Sequence, residues 1–173
     1  METTNWILDP THSEVHFKVK HLMITNVTGS FTVLSATAEA NEKFTHAKVS
    51  FKADTNSIHT GNEQRDGHLK GADFFESEKF PHISFESTNY NATEGKINGN
   101  LTVKGVTKPV SFEVEFNGTN NDLYGNHKAG FSLNGKINRK DFGLSYNAAL
   151  ETGGVMVSEE VKISAEVQLV KQA

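Results

Sequence analysis

Arg65, Asp66 and His68 fall close together in a charged block, residues 60–75, that reads Thr-Gly-Asn-Glu-Gln-Arg-Asp-Gly-His-Leu-Lys-Gly-Ala-Asp-Phe-Phe. An arginine offers a planar fork of donors suited to an anionic group, and a histidine titrates near neutrality, where acid–base work is done. A third candidate, His21, ends the apolar face of an alternating run. Arg65, His68 and His21 are the polar groups expected to meet a bound molecule. They would act as head-group contacts or, in an enzymatic alternative, as an anion holder (Arg65) with His68 or His21 as acid–base group.

Other chemistries find less support. Of eight histidines, His12 and His16 have helical spacing, yet they lie on a strand or its approach, and no His-Glu-x-x-His pattern occurs, so no metal site is expected. With no cysteine there is neither a thiol nucleophile nor a disulfide framework. Asp141-Phe-Gly143 matches a kinase magnesium motif only in its letters, because no phosphate loop or catalytic loop accompanies it. No Gly-x-Ser-x-Gly elbow is present, and Asp9, His12 and Ser13 are too close in sequence to be argued into a triad. They read instead as a turn leading into the first strand. Seventeen Lys and Arg against 21 Asp and Glu give a net charge of -4 without a basic block, so nucleic acid is not an expected partner. No stretch reaches the ~20 apolar residues of a membrane span, and the N-terminus has no signal-peptide pattern, so a cytoplasmic location is expected.

The elements that must position the polar groups are strands. Alternation at period two defines inward faces, beginning with residues 12–22, where Val15, Phe17, Val19 and His21 share one side. Further runs gather Gly29, Phe31 and Val33; Ala47, Val49 and Phe51; Ile83 and Phe85; Ile97, Gly99, Leu101 and Val103. Then come Val110, Phe112, Val114 and Phe116; Ala129, Phe131 and Leu133; and Val161, Ile163, Ala165, Val167 and Leu169. With a short segment near 36–40 this makes eight or nine strands. Turn residues such as Glu94-Gly95, residues 105–109 and Gly153-Gly154 join them into an antiparallel meander. The fold class is therefore all-β in one domain, residues 1–173, closed as an eight-stranded antiparallel barrel with one or two short helices packed against it. A filled two-sheet sandwich is the plainer alternative.

A closed barrel of this kind encloses a small ligand. The expected lining is Phe17, Val19, Phe31, Phe51, Phe85, Leu101, Phe112, Val114, Phe131 and Ile163, with Gly29 and Gly99 either leaving room for a guest or serving curvature. The charged block reads as a helix of about ten residues, capped by Thr60 with Glu63 and stopped at Gly71. On its wheel Arg65, His68, Leu69 and Ala72 face protein, while Asp66 and Lys70 pair on the outer side. A solvated helix anchored by Leu69 alone remains the alternative. Residues 138–151 interrupt the alternation again and suggest a second short helix or lid.

Taken together, residues 6–21 (Trp-Ile-Leu-Asp-Pro-Thr-His-Ser-Glu-Val-His-Phe-Lys-Val-Lys-His), the Arg-Asp-x-His-Leu and Asp-Phe-Phe elements of 60–75, Phe80-Pro81, residues 99–107 and Asn-Arg-Lys-Asp-Phe-Gly at 138–143 resemble the YceI family over nearly the whole chain. That resemblance implies a lipocalin-like, extended barrel whose apolar tunnel binds or transports a polyisoprenoid, an isoprenoid quinone or a fatty-acid derivative. It implies no catalysis and no cofactor. A stress-associated structural domain with a filled barrel is a further alternative. A homodimer is a further expectation, for which an edge left unpaired between the first and last strands would be the obvious surface.

Overall fold

The computed structural model describes residues 2–145 and 157–173. Among the described residues eleven strands form one antiparallel sheet: β1 (Thr4–Leu8), β2 (Glu14–His21), β3 (Thr25–Phe31), β4 (Leu34–Ala40), β5 (Ala47–Asp54), β6 (Ile58–His59), β7 (His82–Asn91), β8 (Lys96–Val103), β9 (Val106–Asn121), β10 (His127–Asn138) and β11 (Glu160–Lys171). Among the described residues one α-helix, α1 (Glu63–Leu69), follows β6.

Eleven segments reduce to eight long strands, because the first three are each broken once. β1 and β2 both pair with β11, β3 and β4 pair with β2 and β1 in turn, and β5 and β6 pair with β4 and β3. The meander then runs through β7 to β11, and the contact of β11 with β1 and β2 closes the ring. The expected eight-stranded antiparallel barrel is thus formed, and the first and last strands pair with each other within the chain.

The breaks lie side by side and are built from polar caps. Asp9 accepts from the Thr11 N–H at 3.1 Å across the 3-10 turn Pro10–His12, while the Ser13 hydroxyl accepts from the Gln168 N–H at 3.1 Å. On the next strand the Val33 N–H donates to the Ser57 hydroxyl at 3.1 Å, and Asp54 caps the turn Thr55–Ser57. Each break spends side-chain oxygens on backbone donors that the ladder drops. It also turns Val33 outward, 56% exposed, which corrects the expectation that Val33 continues the inward face of Gly29 and Phe31.

Cross-strand volume matching explains the interior. At the end where β1 begins, the inward residues of β4 are Ala36, Ala38 and Ala40, and their small size admits Trp6, which pairs with Ala38 and is fully buried. Phe44, from the β4–β5 loop, completes an aromatic plug: its ring lies 4.8 Å from Trp6, 4.9 Å from Phe131 and 5.4 Å from Phe116. Three glycines serve the same matching. A Cβ on Gly29, Gly99 or Gly135 would collide with the ring of Phe17, Phe85 or Phe112 respectively. Aromatic rings therefore cover these glycines across the sheet, and Gly99 makes room for Phe85 rather than for a guest.

Candidate functional site

Inside the barrel lies a cavity of about 520 Å³. It is within the range of pockets that take small organic ligands. Of the residues expected to line it, Phe17, Val19, His21, Phe31, Phe51, Phe85, Leu101, Phe112, Val114, Phe131 and Ile163 all do so, and so do Arg65 and His68. Gly99 does not. The strands bring these residues together because the period-two register holds on both sides of each break: Phe17 faces Ile163 across β2–β11, and Leu133 faces Val114 across β10–β9.

The two ends differ in chemistry. The Trp6, Phe44, Phe116 and Phe131 plug closes one end. The other end gathers His21, Thr60, Arg65, His68 and Arg139 at its rim. Between them the wall is aliphatic and aromatic apart from His16 and Tyr90, and burial pushes the Tyr90 hydroxyl above its usual pKa. Such a site can enclose a hydrocarbon along its length and meet a polar group at one end.

The helical block holds that rim in a way the wheel did not foresee. Asn62, not Thr60, caps α1, its side chain accepting from the Arg65 N–H at 2.9 Å. The helix has seven residues rather than ten. Thr60 instead turns back, its N–H and hydroxyl donating to Asp66 at 2.9 and 2.5 Å, so Asp66 is buried and not on the outer face with Lys70. The same Thr60 fixes Arg65, whose Nε and Nη2 donate to the threonine hydroxyl and carbonyl oxygens at 2.8 and 2.7 Å. Arg65 and His68 are exposed at the rim, not carried into the core, and the His68 Nε2 lies 3.1 Å from Asp73. Leu69 is half-buried and packs on the Phe31, Ala53 and Ile58 cluster.

Arg139, like Thr60, is a rim residue that the sequence pattern does not single out as a site residue. It opens the 3-10 turn Arg139–Phe142 and is only 4% exposed. Its guanidinium donates to the carbonyl oxygens of Leu144, Val157 and Ser158, and burial lowers its pKa. One buried cation thereby ties the end of β10 to the approach to β11. The only sequence signal was its place in the Asn-Arg-Lys-Asp-Phe-Gly string. Beyond Ser145, the expected lid and the Gly153-Gly154 turn lie outside the described residues. Among the described residues no three His, Cys, Asp or Glu side chains converge as a metal-binding group, and no helix is long and apolar enough to cross a membrane.

Comparison with known proteins places this geometry in a family. A model of the YceI-like domain matches residues 6–169. A UPF0312 protein of Staphylococcus aureus (strain N315) is 41% identical over 167 residues, covering 95% of this chain and 96% of the relative. The YceI protein of Campylobacter jejuni is similar in structure, with TM-score 0.77 and 32% identity over 89% of this chain and 90% of the other. A polyisoprenoid binding domain from Saccharophagus degradans shares the fold at TM-score 0.70 and 18% identity, covering 99% of this chain and 100% of that one.

Proposed function

This chain belongs to the YceI-like domain family, and from that membership we propose that it binds a long-chain amphiphile, without catalysis, as a carrier or store. The tail occupies the barrel and the head rests at the rim. Polyisoprenoids, isoprenoid quinones and fatty-acid derivatives all have the required form. The observation that carries this reading is the one-ended polarity of the cavity: an aromatic plug at one end, an apolar wall, and His21, Arg65 and His68 at the other. The domain from Saccharophagus degradans, described as polyisoprenoid-binding, supports it by analogy of fold.

The energetics favour the tail as the main source of affinity. Each methylene moved from water contributes roughly 0.8 kcal/mol, so ten contribute about 8 kcal/mol, enough to offset a substantial part of the cost of association. Arg65 adds selectivity rather than strength. Thr60 holds its Nε side, and among the described residues the Nη1 side is left to meet a head group. A homologous series of amphiphiles with lengthening tails tests the proposal. Affinity should rise by about fourfold per methylene and level off once the tail fills the barrel. Affinity independent of tail length would refute it.

A further inference from the structure

Two hairpin tips of the barrel expose apolar side chains. At the rim, Leu22, Met23 and Ile24 between β2 and β3 are 37%, 54% and 79% exposed; at the plugged end, Leu123 and Tyr124 between β9 and β10 are exposed as well. A run of three exposed apolar residues is disfavoured on a surface that meets only water. The rim tip also carries strain, since Leu22 and Met23 have φ of 53° and 60°. Those central turn positions favour Asn and Gly. Neither solubility nor turn formation selects Leu-Met-Ile here, which points to a use for the side chains themselves.

The charge on the adjoining outer wall distinguishes the rim tip from the other. Lys136 pairs with Lys162 on β10–β11, and Lys162 with Lys18 on β11–β2, so three lysines stand in one row across three strands. Like charges placed opposite one another destabilise a sheet. Glu160 reaches Lys136 at 3.9 Å, but among the described residues Lys18 and Lys162 form no salt bridge. Lys20 lies a step closer to the tip on the same exposed face. Further from the rim the sign reverses, with Glu166 opposite Glu14. At roughly 3.3 Å per residue, Lys18 is about 10 Å from His21 at the base of the tip, near the Debye length at 0.1 M salt. A basic row lies within electrostatic reach of any surface that the tip enters. Nearest the rim Glu160 offsets Lys136 and Glu159 pairs with Lys140 at 2.8 Å, so Lys18, Lys20 and Lys162 leave this wall with a positive excess toward an anionic plane, although the chain as a whole is acidic.

We propose that the hairpin of Leu22, Met23 and Ile24 inserts into the surface of an anionic lipid bilayer, seating the rim of the cavity on the membrane. Three apolar side chains enter the acyl boundary while Lys18, Lys20, Lys136 and Lys162 face the head groups. Docking in this pose opens the cavity toward the lipid phase, so that a tail can exchange without crossing water. That exchange rests on the proposed function, whereas the docking does not.

Co-sedimentation of ligand-stripped protein with phosphatidylcholine vesicles, with and without one quarter phosphatidylglycerol, separates the two. The protein should pellet with the anionic vesicles, less so as salt is raised, and should remain in solution with the neutral ones. Combining Leu22→Asn, Met23→Gly and Ile24→Thr supplies residues suited to the turn, so the variant should fold, yet it should lose vesicle affinity by about tenfold or more. Lys18→Gln and Lys162→Gln should each weaken it by about fivefold. Leu123→Asn with Tyr124→Asn, at the plugged end, should change nothing. Failure of the wild type to pellet, equal binding to neutral vesicles, or full binding by the hairpin variant would overturn the proposal. Docking by a protein that never takes up an amphiphile would sustain this inference and overturn the proposed function instead.

Discussion

Val114→Phe discriminates between an open barrel and a filled one by the sign of its effect on stability. Val114 lines the cavity midway along it, packed against both the cluster that includes the plug and the one around Phe85 and Leu101. Phenylalanine adds four carbons there. In a cavity of about 520 Å³ those carbons enter empty space, and filling such space commonly stabilises a protein by about 0.5–2 kcal/mol. In a packed interior the same change would force side chains off their rotamers and destabilise by roughly 1–3 kcal/mol. Ligand binding should move the other way. Four carbons displace about four methylenes of the tail, or about 3 kcal/mol of transfer free energy, which is roughly two hundredfold in affinity. Urea unfolding of the stripped protein and titration with a fluorescent long-chain amphiphile read the two effects. A more stable apo protein that binds weakly is expected. A destabilised apo protein, or unchanged affinity for a tail long enough to reach Val114, would rule out an open barrel that holds the tail.

The plug and the strand breaks give further expectations. Phe44→Ala removes the ring that contacts Trp6, Phe116 and Phe131; unfolding experiments should show a loss of about 3–5 kcal/mol, and the tail length at which affinity levels off should increase. Asp9 sits 2.6 Å from the Lys128 Nζ, and that partner, with His12 and Thr11, holds its carboxyl well below the usual carboxylate range. Asp122 is lowered to about 2, chiefly by Asn126. Both folded values lie below the unfolded value of about 3.9, so their stabilisation is fully present above that pH. It fades as pH falls, toward pH 2 for Asp122 and still lower for Asp9. Asp9→Asn should therefore lower stability at neutral pH by about 1.5–3 kcal/mol, and the difference from wild type should shrink below about pH 3 in unfolding curves.

The inward faces were legible because a half-buried strand must alternate, and Phe17, Phe51, Phe112, Val114 and Ile163 obey that rule without exception. What alternation cannot report is where a strand bends. β1 is only five residues long, and its separation from β2 depends on Ser13 and Asp9 meeting Gln168, 155 and 159 positions away in sequence. Val33 illustrates the consequence, since a break of two residues is enough to turn it outward. The helical block misled for a related reason: a wheel assigns Asp66 outward by angle, but Thr60 folds back and draws the carboxylate in. Gly99 shows that an inward glycine tells nothing by itself about a guest, because the covering ring of Phe85 comes from the neighbouring strand. Arg139 was legible only through family resemblance, as the carbonyl oxygens that hold it are provided by tertiary structure.

Native mass spectrometry of freshly purified protein shows directly whether the barrel carries a guest. A noncovalent adduct with the mass of a long-chain amphiphile is expected, removed by organic extraction and restored by adding such a molecule back. A protein that purifies at its bare mass and takes up no amphiphile when one is supplied would contradict the proposed function.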